Sequence, residues 1–537
     1  MRRDLACGIA LLLAATGARA EPPPLPAPVT PPVASNSAID ASAVRLGVPG
    51  FPFGGLLAAP AEPGRAWTLQ PSIGVQLLAT DNARLTRRDP QADLISTVTP
   101  AVLATIDTQL LQGVVNYAPN LVYQSGGEQR IDHAFNGQVL ATLLPGRVFL
   151  DLRGAAASQA ASGGYAAEGT PTLRNDNRVQ TTSFQLSPYV VQRFGGLATL
   201  QVGYALQRVT QEIGGDGAGE LAANGQRLFS DQDFTGHEVY AIARSGEDFG
   251  RLALEGRLSA TSYEGSGVLD GAYRRIAVLA TRYALTRALA LLVEGGYEQQ
   301  RYAGNPGIAI DEPVWALGTR IALSEESFVL AKYGRRDGFN SATVEAAMAL
   351  GGRSMLFATY AETLTTAGQR AADLLSTTRL DALGNPVDLA TGAPVAQPFA
   401  SSLIGVQSSL MRIRRAAVSL TQSWPRDSVT LSLAQEERRP VSIDTGLFAT
   451  TQQGSSASLT WAHALTPSST LIAAAQYGRF EDGARDGDIV SLGVSLVTQL
   501  APGLSGLVQL LTTSRGEDQA SGRAVQNLIL VGLRQSF

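Results

Sequence analysis

The strongest constraint on this chain is a period-two alternation held over ten or more residues and repeated from Trp67 to Phe537. In "WTLQPSIGVQL" one face carries Trp67, Leu69, Pro71, Ile73, Val75 and Leu77. The other carries Thr68, Gln70, Ser72, Gly74 and Gln76. "ATLQVGYALQ" (198–207), "RLALEGRLSAT" (251–261) and "DIVSLGVSLVTQ" (488–499) follow the same rule. Alternate side chains of a strand point to opposite faces, so each segment is a strand with one apolar face. Strands of soluble sandwiches usually run about five or six residues, whereas a tilted membrane strand needs about 9–11. The length therefore favours a barrel with its apolar face on lipid and its small and polar face on a lumen.

Connections and aromatics agree with this reading. Short turn-rich links occur at 144–147, 194–196, 285–288, 323–327, 350–353, 424–427, 465–469 and 501–503. Longer polar links alternate with them, at about 160–178, 211–232, 301–312, 436–454 and 514–525. The longest spans about 366–406. Outer-membrane barrels combine short periplasmic turns with long extracellular loops. Tyr117, Tyr123, Tyr204, Tyr297, Trp315, Trp461 and Tyr477 fall on apolar faces near strand ends, where interfacial girdles lie. The expected fold is all-β: a transmembrane antiparallel up-and-down β-barrel over 65–537, with about 22 strands (18–24, even).

Two other materials precede the barrel. "MRRD", an apolar run and "ARA" make residues 1–20 a secretory signal peptide, cleaved after Ala20. Cys7 is the only cysteine and lies inside it, so the mature chain has no thiol chemistry. Residues 21–64 are Pro-rich and read as a disordered periplasmic linker, a plain tether first, with Phe51, Phe53, Leu56 and Leu57 as the alternative of an apolar grip for a partner. Past the signal no apolar run reaches 18 residues, so no transmembrane helix is expected.

The chemistry-bearing residues are few. A net charge of −4 gives no nucleic-acid footprint. His133 and His463 share apolar faces, and His237 has no serine nearby in sequence. Neither a catalytic dyad nor a metal-ligand spacing results, so no enzyme activity, metal or cofactor is expected. "GGDGAGE" (214–220) lacks the strand–helix context of a phosphate loop. What remains is the lumen. Asp151, Arg153, Arg251, Glu255, Arg257, Glu294, Glu298, Arg320, Lys332 and Glu345 are placed on inward faces. Such charges either orient polar solutes in a pore or pair across strands. The long link is too apolar for a solvated loop: Leu374, Leu375, Leu380, Leu383, Val387, Leu389, Val395 and Phe399 need cover. Folding over or into the barrel mouth, 367–400 would narrow the lumen; packing against neighbouring loops is the alternative.

Two resemblances sharpen these expectations. "LILVGLRQSF" resembles the C-terminal signature of outer-membrane barrels, which implies that Phe537 is a signal to the barrel-assembly machinery. Gln535 departs from that signature, standing where an apolar residue is usual. "PSIGVQLLATDNARL" (71–85), "VTPAVLATIDTQLLQGVVNYAPNLVYQ" (98–124) and "GRVFLDLRGAAASQ" (146–159) resemble the start of an outer-membrane β-barrel porin family associated with exopolysaccharide and PEP-CTERM loci. The resemblance implies a Gram-negative outer-membrane barrel with lipid and lipopolysaccharide around it, and periplasmic polysaccharide-export proteins as partners. Three functions follow for test: an exopolysaccharide export channel, a diffusion porin for small solutes, and a structural barrel with a plugged lumen.

Overall fold

In this computed structural model, residues 66–161, 163, 173, 177–213, 229–324, 327–380, 386–388, 403–483, 485–517 and 522–537 are described. The signal peptide 1–20, the linker 21–64, the 214–220 stretch and Leu383, Leu389, Val395 and Phe399 of the long link lie outside them. The chain forms a closed antiparallel barrel of 22 strands. It starts with Trp67–Thr80 and ends with Arg523–Ser536, and these two strands pair in register from Ser72↔Ser536 to Thr80↔Leu528. Closure leaves no open edge, as lipid requires, because an unpaired backbone row has no water to bind there. Two wall strands are interrupted. Leu111–Tyr117 and Asn120–Gln124 continue one strand across Pro119, which has no N–H for the ladder. Gln129–Asp132 and Phe135–Leu144 pair with them and break opposite.

The alternation sorts the side chains as its chemistry demands. In the first strand Trp67, Leu69, Ile73, Val75 and Leu77 face outward and are exposed, while Ser72, Gly74 and Gln76 face inward and are buried. Exposed Trp67, Phe194, Tyr283, Trp424, Trp461 and Phe537 ring the end that carries the short turns. Tyr123, Tyr297, Trp315, Tyr333 and Tyr477 ring the other. Beyond this second ring the outward faces become charged. Arg208 with Asp233, Gln299 with Asp311, and Arg439 with Glu437 pair there. The apolar belt is thus shorter than the strands, and the sheet continues past it into water.

That projection shortens three of the expected links, among them 514–525, where one strand runs to Glu517 and the next begins at Arg523. The 436–454 link is strand as far as Ile443, and the 301–312 link shrinks to 303–307. "EERRPVSI" reads as loop by charge, yet it sits above the belt, where both faces of a strand tolerate charge. A further hairpin turns at Asp337 and Gly338, both with positive φ (55° and 80°). That is the Asp-Gly signal of a two-residue hairpin. Here the wall is low, and the loops beside it close over it. Asn305 bridges to Ile443, and Ser442 Oγ donates to Ala303 O at 2.9 Å.

The seam between first and last strands is tied at the loop end by the residues after strand one. Asp81 receives Asn527 N and Nδ2, each at 2.7 Å. Buried Asn82 donates from Nδ2 to Thr86 O (2.7 Å) and Val525 O (2.9 Å), while its Oδ1 accepts from Thr86 N (3.0 Å). At the opposite end Arg534 reaches Ser72 Oγ, and Phe537 N donates to Pro71 O at 3.0 Å.

Candidate functional site

A barrel of this kind encloses a lumen, and the described start of the long link runs into it. After the strand Ser354–Thr365 the chain forms a helix, Ala367–Thr377, here α1. Its sequence "AGQRAADLLST" is rich in helix formers. Thr366 begins it with a capping box: Thr366 Oγ1 accepts from Gln369 N, and Gln369 Oε1 accepts from Thr366 N, both at 3.1 Å. Gly368, Ala371, Ala372 and Leu375 form its buried face. They pack with Val209, Phe234, Tyr263, Tyr302 and Leu364, all from the inner wall. Phe234 and Tyr263 meet edge to face at 5.6 Å. A Cβ on Gly368 would lie 3.1 Å from the Phe234 ring, which would have to give by a few tenths of an ångström, so glycine suits this approach.

Inward charges hold α1 at both ends. Arg153 Nη1 donates to Leu375 O (2.5 Å) and Thr378 O (3.2 Å), and Asp151 fixes its guanidinium at 2.8 Å. A cation at a helix C-terminus satisfies carbonyls that have no helical partner and opposes the negative end of the dipole. Near the N-terminal end Arg370 Nη1 pairs with Glu436 Oε1 at 2.8 Å. Burial pulls the Arg370 guanidinium down to about 10, against the opposing effect of Glu436, so it stays charged at neutral pH. Glu436 also binds Arg438 Nε (2.6 Å), and Arg438 Nη1 donates to Gly405 O (2.5 Å). The segment 403–408 is then tied across the mouth. Val406 N donates to Ala161 O (2.8 Å), Ser408 Oγ to Ser230 O (3.0 Å) and Gln407 Nε2 to Thr450 Oγ1 (2.9 Å). Leu403 packs on Phe480, Ile489 and Ala524 of the wall and on Leu85.

Beneath this roof Arg274 meets Asp337 at 3.3 Å, and Gln300 Nε2 donates to Asp337 Oδ1 (2.8 Å) and Glu298 Oε2 (3.1 Å). Leu364 N and Gly338 N donate to Asp337 and Glu298, so the network ties the low hairpin to the wall.

The ten residues placed on inward faces from sequence occupy several places. Asp151 and Arg153 receive α1, and Glu298 joins the Asp337 network. Glu294 pairs with Lys332 at 2.8 Å. Arg320 lies over the Phe328 ring at 5.0 Å, and register puts Glu345 beside Leu330 on the same face. Glu255 bonds Arg244 at 2.8 Å, and Arg257 is inward and exposed. Arg251 departs from its expected place: it lies in the turn before Leu252–Gly265, because Gly250 (φ 58°) starts the chain reversal there. Arg370, Glu436, Arg438, Arg274 and Asp337 were not singled out. The alternation of Glu436 with Arg438 could have revealed two of them had "EERR" not resembled a loop. The histidines find aromatic or acidic neighbours near the girdles: Tyr117 with His133 (3.1 Å), Tyr204 with His237 (2.7 Å) and Asp427 with His463 (2.8 Å).

Neither a protein-family model nor a curated protein matches the sequence. Among solved structures, the chain is similar to the ferric-catecholate import receptor Fiu from E. coli K12 in its open form. The TM-score is 0.45 at 11% identity, covering 89% of this chain and 82% of that one. It is also similar to the FrpB iron transporter from Neisseria meningitidis (TM-score 0.47, 8% identity, 88% and 82% covered). OmpT from Vibrio cholerae, as a loop L8 deletion mutant, scores 0.29 at 9% identity, with 88% and 100% covered. The likeness is one of fold alone, and the strand count stands on the pairing within this chain.

Proposed function

We propose that the protein is an outer-membrane channel whose bore is narrowed from within by its own long loop. The observation that carries this is α1, packed on the inner wall and gripped by Arg153 and Glu436. Twenty-two strands about 4.8 Å apart enclose a bore on the order of 40 Å between facing backbones, and barrels of that size are normally obstructed. A helix about 10–12 Å wide reduces such a bore without sealing it. In this reading the loop end is extracellular and Phe537 lies at the periplasmic girdle, where it serves the assembly machinery. Lipid and lipopolysaccharide surround the belt.

For cargo we propose a neutral or anionic polysaccharide on its way out, delivered by periplasmic export proteins. The inward Arg, Asp and Glu side chains suit hydroxyl- and carboxylate-bearing chains. Current-block recordings in planar bilayers test it. Neutral and acidic oligosaccharides are expected to interrupt the ion current in a concentration-dependent way. Passage of small solutes graded by size alone, with no glycan block, would instead make it a diffusion porin. A closed barrel with no measurable current would make it the plugged structural form, which the internal helix also favours.

A further inference from the structure

Charge is unevenly matched where α1 meets the wall. Arg415 and Glu436 stand opposite each other in register, on the inward face of strands Ser409–Ser423 and Asp427–Ile443. Arg438 is the next inward residue above Glu436, and Arg370 arrives from near the N-terminal end of α1. Three guanidiniums therefore surround one carboxylate. Arg370 Nη1 (2.8 Å) and Arg438 Nε (2.6 Å) both end on Glu436 Oε1, so two cations share a single oxygen. Arg415 is exposed on the lumen side and makes no ion pair or hydrogen bond among the described residues. Its charge still acts on Glu436 and Arg370, which places it in the same group.

Arg438 carries the second signal. Its side chain is only 4% exposed. Nε serves Glu436 and Nη1 donates to Gly405 O, while Nη2 is buried with no partner. Nη2 shares one edge of the planar guanidinium with Nε, so the spare donor lies beside Glu436. Arginine cannot shed its proton, and buried charges persist where an opposite charge meets them. Against Arg370, Arg415 and Arg438 the described part of the site sets Glu436 alone, and three cations less one carboxylate leave two positive charges over.

We propose that this junction binds a phosphate group, held by Arg415 and by Nη2 of Arg438, with Arg370 at its edge. A phosphate carries about −1.5 to −2 charge at pH 7 and three strong acceptor oxygens, which matches both the excess charge and the spare donors. A carboxylate would meet only half of that charge. Inorganic phosphate and the phosphoryl group of a saccharide offer the same chemistry. Arg415 and Arg438 belong to the wall and Arg370 belongs to α1, so the bound group bridges the two. It clamps the helix in the lumen and makes the position of α1 respond to phosphate. This goes beyond the reading of cargo and stands apart from it.

The test uses the full chain folded in detergent, with chloride exchanged for phosphate at constant ionic strength and heat-modifiable migration as the check on folding. Calorimetric titration with inorganic phosphate is expected to show one saturable site. Arg415→Gln should weaken it by about tenfold or more, because a charge-assisted bond is lost. Arg257→Gln removes the same charge from another exposed inward position and should leave the affinity unchanged. Phosphate should also slow proteolysis within 370–380 in the intact chain and not in Arg415→Gln. Glucose 1-phosphate separates the two sources. Affinity equal to that of inorganic phosphate assigns the site to the free ion, and tighter binding assigns it to a saccharide phosphate; glucose itself should not bind. No saturable phosphate site, an equal loss in both variants, or no loss in Arg415→Gln would overturn the proposal. So would phosphate protection of 370–380 that persists in Arg415→Gln. None of these readouts depends on what the channel carries.

Discussion

Arg153 shows how a wall side chain can set the bore. It bonds two carbonyls at the end of α1 while Asp151 holds it from the strand. Arg153→Ala removes both bonds and leaves Asp151 without its cation, a loss of about 1–3 kcal/mol in docking α1. The barrel should keep its heat-modifiable migration while proteolysis within 370–380 accelerates. Arg153→Lys should recover only part of the protection, because one ammonium cannot match a fork that spans two carbonyls and a carboxylate. Asn82 makes a second residue-scale test. It is buried at the seam, and Asn82→Ala strands two carbonyls, so the unfolding midpoint in urea should fall by the equivalent of about 1–3 kcal/mol. Asp81→Ala, in a more exposed pair, should cost less. Period-two reading made Asp151 and Arg153 visible as an inward pair. Their partner, a helix arriving from a strand ten places around the barrel, was not visible, since no local pattern encodes a contact across a lumen.

At the scale of elements, most of the strands were legible because lipid selects one face so strictly. Where that selection ends, legibility ends too. Asp427–Ile443 carries four consecutive charges above the belt, and the charges hid the strand. The helix was missed as a helix: its alanines and polar residues looked like loop, although its leucines already required cover. Element ends should also respond to turn chemistry. Gly338 has φ 80° and lies 3.4 Å, by a Cβ placed there, from Ile310. Gly338→Val should therefore cost about 1–2 kcal/mol through left-handed strain, read as a lower thermal midpoint of the folded barrel. An unchanged midpoint would mean that the hairpin tip relaxes freely.

For the whole molecule, two properties follow from closure. The last residue is part of the seam: Phe537 is 75% exposed at the girdle and its amide bonds strand one. Removing Phe537 should lower the amount of assembled barrel under high expression, and undiminished levels would show that the ending is dispensable. The second property is the bore itself, which the account holds to be narrowed by a loop folded inside the wall. Thr365 pairs with Met411, so the strands on either side of the loop already meet, and residues 370–400 can be excised without separating them. Single-channel conductance of the intact and excised proteins in planar bilayers measures the claim directly. The account predicts a rise of at least about twofold on excision, since a helix 10–12 Å wide and its braces leave the path. Equal conductance from two fully assembled barrels would contradict it.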